Sequence, residues 1–183
     1  MRLYKQTVQD FGLYPGMDMP EEVLEKLIDA AGAMSAKMRA VRIVAASNVS
    51  GKDLEQRLIH KGENPQQAKN AVQWMEDMQL IDDRKTAEQV VQKCIHKGYG
   101  LARAKQALYE KRIPKEYWDE ALAEYPDQTE CIAEFIRSRL GDSNDPVQVR
   151  KVIDSLIRRG HSYGQIRNAF YQIDLDTEEL PEG

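Results

Sequence analysis

The tetrapeptide Ile-His-Lys-Gly occurs twice in this chain, at residues 59–62 and 95–98, and Ile-Arg-Arg-Gly occurs at 157–160. Before each glycine, apolar residues recur at helical spacing. The glycine then lies just past the last apolar position, where a helix end favours a left-handed residue that glycine adopts without strain. The pattern therefore predicts three helices that stop at glycines, each followed closely by another helix. These predicted stops are Gly62, Gly98 and Gly160.

The residues that follow two of these glycines also match. Residues 105–108 align with 167–170, at the same distance from the glycine in each copy. The chain thus contains a duplicated helix-turn-helix unit. A fainter first copy follows Ser50, whereas the identical tetrapeptide at 59–62 supports a competing register. Either register predicts an array of small helical units, each too small to bury a core alone.

Helix caps and helix stops divide this array into triplets of helices. We therefore predict an all-α fold of tandem three-helix repeats, preceded by a short N-terminal segment with one helix and followed by an acidic tail. The predicted divisions are 1–35 for the N-terminal segment and helix, 36–82, 83–126 and 127–174 for the three repeats, and 175–183 for the tail.

Local signals set the expected ends of individual elements. Residues 3–8 are expected to form a strand, and a helix beginning at Pro20 is expected to end before a separate helix at 37–47. Polar residues that cap helix N-termini precede several apolar stripes. The predicted caps are Ser50 with Asp53 three residues later, Asn64, the pair Asp82 and Asp83, Asp145, and Ser162.

The composition suits a helical protein with a large polar surface. Apolar residues make up 42% of the chain and charged residues 31%. No apolar run approaches the ~20 residues that span a bilayer. We also expect no signal peptide, because no charged-then-apolar segment opens the sequence. The two cysteines, Cys94 and Cys131, both fall on apolar helical stripes. We therefore expect reduced, buried, inert thiols in a cytoplasmic protein without a membrane contact.

Charge is segregated along the chain, although the net charge is only -4. Residues 36–112 contain 15 Lys and Arg against 9 Asp and Glu, and residues 150–171 contain 5 against 1. Between them, residues 113–149 contain 3 basic residues against 9 acidic ones. Alternating blocks of this kind suggest basic faces that bind an acidic partner, and acidic faces that repel such a partner or resemble it in charge.

Basic residues recur at the turns of the predicted repeats, and we call this set the basic corners. A regular array of repeats would place them along one surface suited to phosphates or to acidic protein walls. The simpler interpretation of any single member is a solvated charge. The basic corners are Arg57, Lys61, Lys93, Lys97, Arg103, Lys105, Arg158, Arg159 and Arg167.

Catalytic and metal-binding signals are weak. His60, His96 and His161 each lie beside a helix stop, where a hydrogen-bonding or cationic group is favourable without any ligand. Neither Cys-x-x-Cys nor His-x-x-x-His spacing occurs, and the sequence has no nucleophile elbow and no phosphate-cradling glycine loop. We expect no metal, no cofactor and no enzymatic activity.

At this point the residues resemble a known family. Residues 80–83, Leu-Ile-Asp-Asp, followed by His-Lys-Gly-Tyr-Gly at 96–100, are similar to the signature of the RecX family. Residues 50–54 resemble that family's first-repeat cap, and residues 158–161 resemble its third-repeat break. The likeness covers roughly residues 37–173. The chain differs in having Lys85 where the family often has an aromatic residue, and in its acidic net charge.

The resemblance implies a fold and a role. It implies three tandem three-helix repeats in a curved, elongated array. It also implies a bacterial regulator that lodges in the groove of the RecA–DNA filament and inhibits ATP turnover and strand exchange, in recombination and the SOS response. On this basis we expect a monomer whose partners are the RecA filament and single- or double-stranded DNA. The alternatives are a stand-alone nucleic-acid-binding module and an α-solenoid adaptor with other protein partners.

Overall fold

The structure, a computed structural model, describes residues 3–141, 143 and 145–173. Within these residues all regular secondary structure is helical, which confirms the predicted all-α fold class. The chain divides into two compact units, Met1–Thr86 and Ala87–Gly183. No helix among the described residues is both long and apolar enough to cross a membrane.

Ten α-helices and one short 3₁₀ helix occupy the described residues. The helices are α1 Lys5–Asp10, α2 Glu21–Ala46, α3 Gly51–His60, α4 Pro65–Asp77, α5 Asp83–His96, α6 Leu101–Glu110, the 3₁₀ helix Lys115–Tyr117, α7 Trp118–Leu122, α8 Thr129–Leu140, α9 Pro146–Arg158 and α10 Tyr163–Gln172.

The N-terminal region differs from the sequence prediction in two ways. The predicted strand at 3–8 is wrong, because Lys5–Asp10 form a helical turn that a side-chain bond from Gln6 to Asp10 supports. The two predicted helices at 20–35 and 37–47 are one helix, α2. Its middle is rich in alanine, and its only glycine, Gly32, leaves the space that the Gln67 side chain occupies. The predicted division at residue 35 therefore falls inside a continuous helix.

The predicted caps form, except that Asp83 is the first residue of α5 and its carboxylate accepts from the Gly51 amide of α3. The Ser50 hydroxyl accepts a hydrogen bond from the Asp53 amide at 3.1 Å, and Asn64 accepts from the amide of Gln66. Ser162 and Gln165 form a complete capping box. The remaining predicted caps also accept amide hydrogen bonds: Asp82 from Lys85, and Asp145 from Val147. Caps of this kind satisfy amides that lack a partner in the first helical turn.

Three hydrophobic clusters hold the helices together. One, in the first unit, contains Leu54, Leu58 and Met75. The second unit contains two: one includes Ala87, Val91 and Leu108, and the other runs from Ile132 to Phe170. Each cluster lies within one of the ranges 36–82, 83–126 and 127–174. We therefore retain the division into three repeats as a proposal; the predicted tail at 175–183 lies outside the described residues.

Several apolar residues that the helical period assigns to the core are instead exposed, among them Leu24, Ile28 and Val41 of α2. Met78 is 57% exposed, since it lies just past the end of α4 and no longer follows the helical period. Ile157 and Leu101 are 48% and 38% exposed. Each lies at the edge of a helical stripe, where one step of about 100° turns a side chain away from the core.

Candidate interaction surfaces at the helix–glycine turns

The three predicted helix stops share one backbone geometry. Gly62, Gly98 and Gly160 have φ values of +87°, +62° and +87°. In each turn the amide after the glycine donates to the carbonyl five residues earlier, which is the bond of a Schellman motif. These bonds are Glu63 to Leu58 at 3.1 Å, Tyr99 to Cys94 at 3.0 Å and His161 to Leu156 at 3.2 Å.

Two of these turns pack against each other within the second unit. The Gly100 amide donates to the Arg159 carbonyl at 2.9 Å, and the His161 Nε2 lies 3.1 Å from the Gly98 carbonyl. We call residues 97–103 and 159–161 together the glycine junction. A β-carbon on Gly100 would overlap the Gly160 carbonyl, and one on Gly98 would lie 2.5 Å from the Cys131 Sγ. The junction thus requires glycine for close approach as well as for its backbone angles.

Arg159, predicted as a contact residue, takes part in the glycine junction. Its guanidinium donates to the Lys97 carbonyl at 3.3 Å and lies over the rings of Phe135, at 4.7 Å, and Tyr99, at 5.7 Å. Cation–π contacts of this kind stabilise a half-buried arginine where it lies. Arg159 is therefore partly committed to holding the turns together, unlike its exposed neighbour Arg158.

An arginine also binds the corresponding carbonyl in the first unit. Arg39 donates from Nη1 to the Lys61 carbonyl at 2.6 Å and pairs through Nε with Glu63 at 2.9 Å. Ser35 donates to the same carboxylate at 2.9 Å. Sequence reasoning missed Arg39, because the residue lies 22 positions before Lys61 and on a different helix. The identical tetrapeptides at 59–62 and 95–98 were the only available hint of a shared environment.

The basic corners separate into exposed and engaged residues. Arg57 pairs with Asp53 at 2.8 Å, and Arg103 pairs with Glu110 at 2.9 Å. Lys97 lies over the ring of Tyr99 at 5.9 Å, although the residue is exposed. The exposed members are Lys61, Lys93, Lys97, Lys105, Arg158 and Arg167.

A cavity of about 420 Å³ lies between the C-terminal ends of α2 and α3. It brings Arg57 and Lys61, two of the basic corners, next to Arg39 and Arg42, which sequence reasoning did not select. No Asp or Glu is among the residues that line it. We call this space the cationic cavity.

Burial perturbs three titratable groups in the second unit. Desolvation lowers the pKa of His161, which is only 5% exposed and whose Nδ1 has no hydrogen-bond partner among the described residues. Burial also raises the pKa of the Cys94 thiol. Tyr125 donates its hydroxyl to the Tyr99 carbonyl at 2.5 Å, and burial raises its pKa to about 12. These groups lie in or near the glycine junction and have a structural role there.

The histidines and cysteines do not converge on a metal site within the described part of the chain, where no group of three or more His, Cys, Asp or Glu is placed to hold an ion. His60 and His96 are exposed, and His161 is buried. Both thiols are free. Cys94 is buried as predicted, whereas Cys131, in the first turn of α8, is only half-buried, so the prediction of two buried thiols is wrong for Cys131.

Comparison with known proteins identifies relatives of this chain. Residues 82–122 match the family described as RecX, second three-helix domain. A regulatory protein RecX from Xanthomonas axonopodis pv. citri (strain 306) is 33% identical over 134 residues, which cover 72% of this chain and 83% of the relative. Another, from Vibrio campbellii (strain ATCC BAA-1116), is 27% identical over 152 residues, which cover 81% of this chain and 96% of the relative.

Two solved structures share the fold. The crystal structure of a regulatory protein RecX covers 95% of this chain and 87% of its own, with a TM-score of 0.72 and 18% identity. The crystal structure of RecX from Lactobacillus salivarius covers 80% of this chain and 99% of its own, with a TM-score of 0.68 and 23% identity. The 33% identity to the Xanthomonas protein makes this chain a member of the RecX family of regulatory proteins.

Proposed function

We propose that this chain is a non-enzymatic regulator that binds the RecA recombinase filament and inhibits its ATP hydrolysis and strand exchange. It acts as a monomer in the cytoplasm, during recombination and the SOS response. Membership of the RecX family supports RecA as the partner. The single observation that carries the mode of binding is the recurrence of exposed lysine and arginine beside the helix–glycine turns, in a chain whose net charge is -4.

Such a regulator needs no chemistry of its own. A recombinase filament on DNA is a polyanion that presents a regular series of phosphates and acidic side chains. Each exposed cation contributes little by itself, since surface ion pairs are typically worth ~0–1 kcal/mol. Several cations on linked repeats act together, because the first contact raises the effective concentration of the next. Inhibition then arises from occupying the filament.

The decisive experiment compares two matched charge reversals within the second unit. The test variant changes Lys93, Lys105 and Arg158 to Glu, which are exposed members of the basic corners. Arg103 and Arg159 are left unchanged, because their contacts hold the structure together. The control variant makes the same change of charge at other exposed positions, namely Lys115, Arg150 and Lys151.

The readout is DNA-dependent ATP hydrolysis by the cognate RecA, with co-sedimentation of the regulator on RecA filaments. The test variant should lose most of its inhibition and co-sedimentation, while the control variant retains both. Equal inhibition by both variants would remove the basic corners as the contact surface. If wild-type protein neither inhibits nor co-sediments, the RecA role fails and the adaptor interpretation gains. If a protein that fails both RecA assays still shifts free DNA, with an affinity that falls steeply with salt, the stand-alone nucleic-acid module is favoured instead.

A further inference from the structure

The cationic cavity of the first unit brings four basic side chains together around one open space. Its volume is about 420 Å³, within the range of small-ligand sites, roughly 300–1,000 Å³. Arg39 and Arg42 come from the last turns of α2, and Arg57 and Lys61 come from the end of α3. Ile43, Ala46 and Ser47 complete its lining.

Two of the four cations are each paired with a carboxylate. Glu63 and the Lys61 carbonyl fix the Arg39 guanidinium, as described above. Asp53 fixes Arg57 at 2.8 Å, and Arg57 also reaches the Ser47 hydroxyl at 3.4 Å. Neither carboxylate lines the cavity. The two guanidinium groups are thus oriented before any ligand binds, which reduces the entropy that binding must offset.

The other two cations remain available. The side chains of Arg42 and Lys61 are exposed, and neither has an ion-pair or hydrogen-bond partner among the described residues. Four cations against two pairing carboxylates leave an excess of two positive charges around the cavity. The C-terminal ends of α2 and α3 oppose this with partial charges of about -0.5 each, so the balance stays positive.

We propose that the cationic cavity binds one phosphate group, supplied by the phosphodiester backbone of a nucleic-acid strand or by a free phosphate. Two oriented guanidinium groups with an exposed arginine and an exposed lysine offer many donors, and a phosphate offers several acceptor oxygens that can accept from them together. The proposal rests on the proposed function, which it deepens by assigning Arg57 and Lys61 a specific ligand chemistry.

The test uses the full-length protein and two double variants. In the cavity variant, Arg42→Gln and Lys61→Gln remove the two unpaired cations and leave the oriented pair unchanged. In the matched control, Lys52→Gln and Lys69→Gln remove the same charge from exposed positions of the same unit, outside the cavity lining. Circular dichroism and thermal melts establish that both variants fold.

The first arm measures binding of fluorescently labelled oligo(dT) by anisotropy over a series of salt concentrations. The slope of log affinity against log salt is negative. If the cavity holds one backbone phosphate, this slope should be less steep by roughly 0.7 in the cavity variant than in the control. The second arm titrates inorganic phosphate and follows the Nε–H signals of Arg39 and Arg57 by NMR. Saturable shifts of these signals in the wild type, absent from the cavity variant, identify free phosphate as a ligand.

A positive result in the DNA arm supports the phosphodiester source, and a positive result in the phosphate arm alone supports the free anion. The proposal is overturned if the cavity variant and the control behave alike in both arms. It is also overturned if the cavity variant loses only co-sedimentation with RecA filaments, since the ligand is then an acidic protein surface. If wild-type protein binds phosphate but does not inhibit RecA, the phosphate site stands and the proposed regulatory role is wrong.

Discussion

The backbones of Gly100 and Gly160 lie so close that a β-carbon on Gly100 would overlap the Gly160 carbonyl oxygen. The contact joins the turn after α5 to the turn after α9, and two backbone hydrogen bonds, from Gly100 to Arg159 and from Ala102 to Gly160, accompany it. It explains why position 100 requires glycine, although its backbone angles alone do not. It also means that substitutions here act through packing as well as through backbone angles.

Gly100→Ala should therefore destabilise the second unit by roughly 1–3 kcal/mol, the usual cost of forcing extra volume into a packed site. The control is Gly164→Ala within α10, where a β-carbon meets no atom within 4 Å. That change should stabilise the protein by roughly 0.4–1 kcal/mol, because alanine loses less entropy in a helix. Urea unfolding of a Trp74→Phe background, in which Trp118 is the sole tryptophan, reports on the second unit. Equal stabilities for the two variants would contradict the close approach.

Gly98→Ala should cost more than Gly62→Ala, although both glycines have positive φ. At Gly62 a β-carbon meets no atom within 4 Å, so only the backbone term of roughly 1 kcal/mol applies. At Gly98 it would also press on the Cys131 sulfur. Cys131→Ala should recover part of the extra loss, which chemical denaturation of the single and double variants measures as a coupling energy. Strictly additive effects would count against the contact.

Arg159→Ala should destabilise the second unit by about 1 kcal/mol, because it removes the cation–π contacts and the bond to the Lys97 carbonyl. Arg158→Ala, one residue earlier and exposed, should remain within about 0.5 kcal/mol of wild type. Thermal melts of the two variants provide the comparison. The pair also separates structure from binding, since only Arg158 should affect inhibition without affecting stability.

The stability of the second unit should decrease as the pH falls below about 6.5, the ordinary pKa of histidine. Burial, with Arg159 nearby, lowers the folded pKa of His161, whereas the unfolded chain takes up a proton at the ordinary value. The unfolded state then binds more protons, and stability is lost from pH 6.5 down to the folded pKa. His161→Gln, whose amide can still donate to the Gly98 carbonyl, should flatten this dependence in urea titrations at several pH values. An unchanged slope would exclude His161 as the group responsible.

The two thiols should differ in reactivity. Cys94 is 6% exposed and burial raises its pKa, so little thiolate is available at neutral pH. In a Cys131→Ala variant, Cys94 should react with a disulfide reagent only at the rate of local or global opening. In a Cys94→Ala variant, the half-buried Cys131 should react sooner. Rates are followed spectrophotometrically, and faster labelling of Cys94 would contradict its burial.

Local signals in the sequence predicted most of the helices well. The stops at Gly62, Gly98 and Gly160 and the caps at Ser50 and Ser162 all depend on residues close in sequence, so their physics can be read from a short window. The long helix α2 was mistaken for two, because the sequence lacks apolar residues at regular spacing around residues 32–36 although nothing there breaks a helix.

The candidate surfaces were less predictable, because they depend on distant residues. Arg158 and Arg159 could not be distinguished as exposed and engaged from the sequence. The rings that hold Arg159 belong to Phe135 and Tyr99, which are 24 and 60 positions away. Arg39 and Arg42 were missed for the same reason. Their importance depends on the turn at Lys61, which only the packing of α2 against α3 brings near them.

The continuity of α2 has a practical consequence for shortened forms of this protein. A truncation at residue 36 would leave 11 residues of the helix, a length at which an isolated helix is marginal in water. It would also remove the contact between Asp29 and Gln67, together with the buried side chains of Leu27 and Ala31. The newly frayed end would lie less than one turn from Arg39. Shortened proteins meant to isolate the first repeat should therefore begin before Glu21.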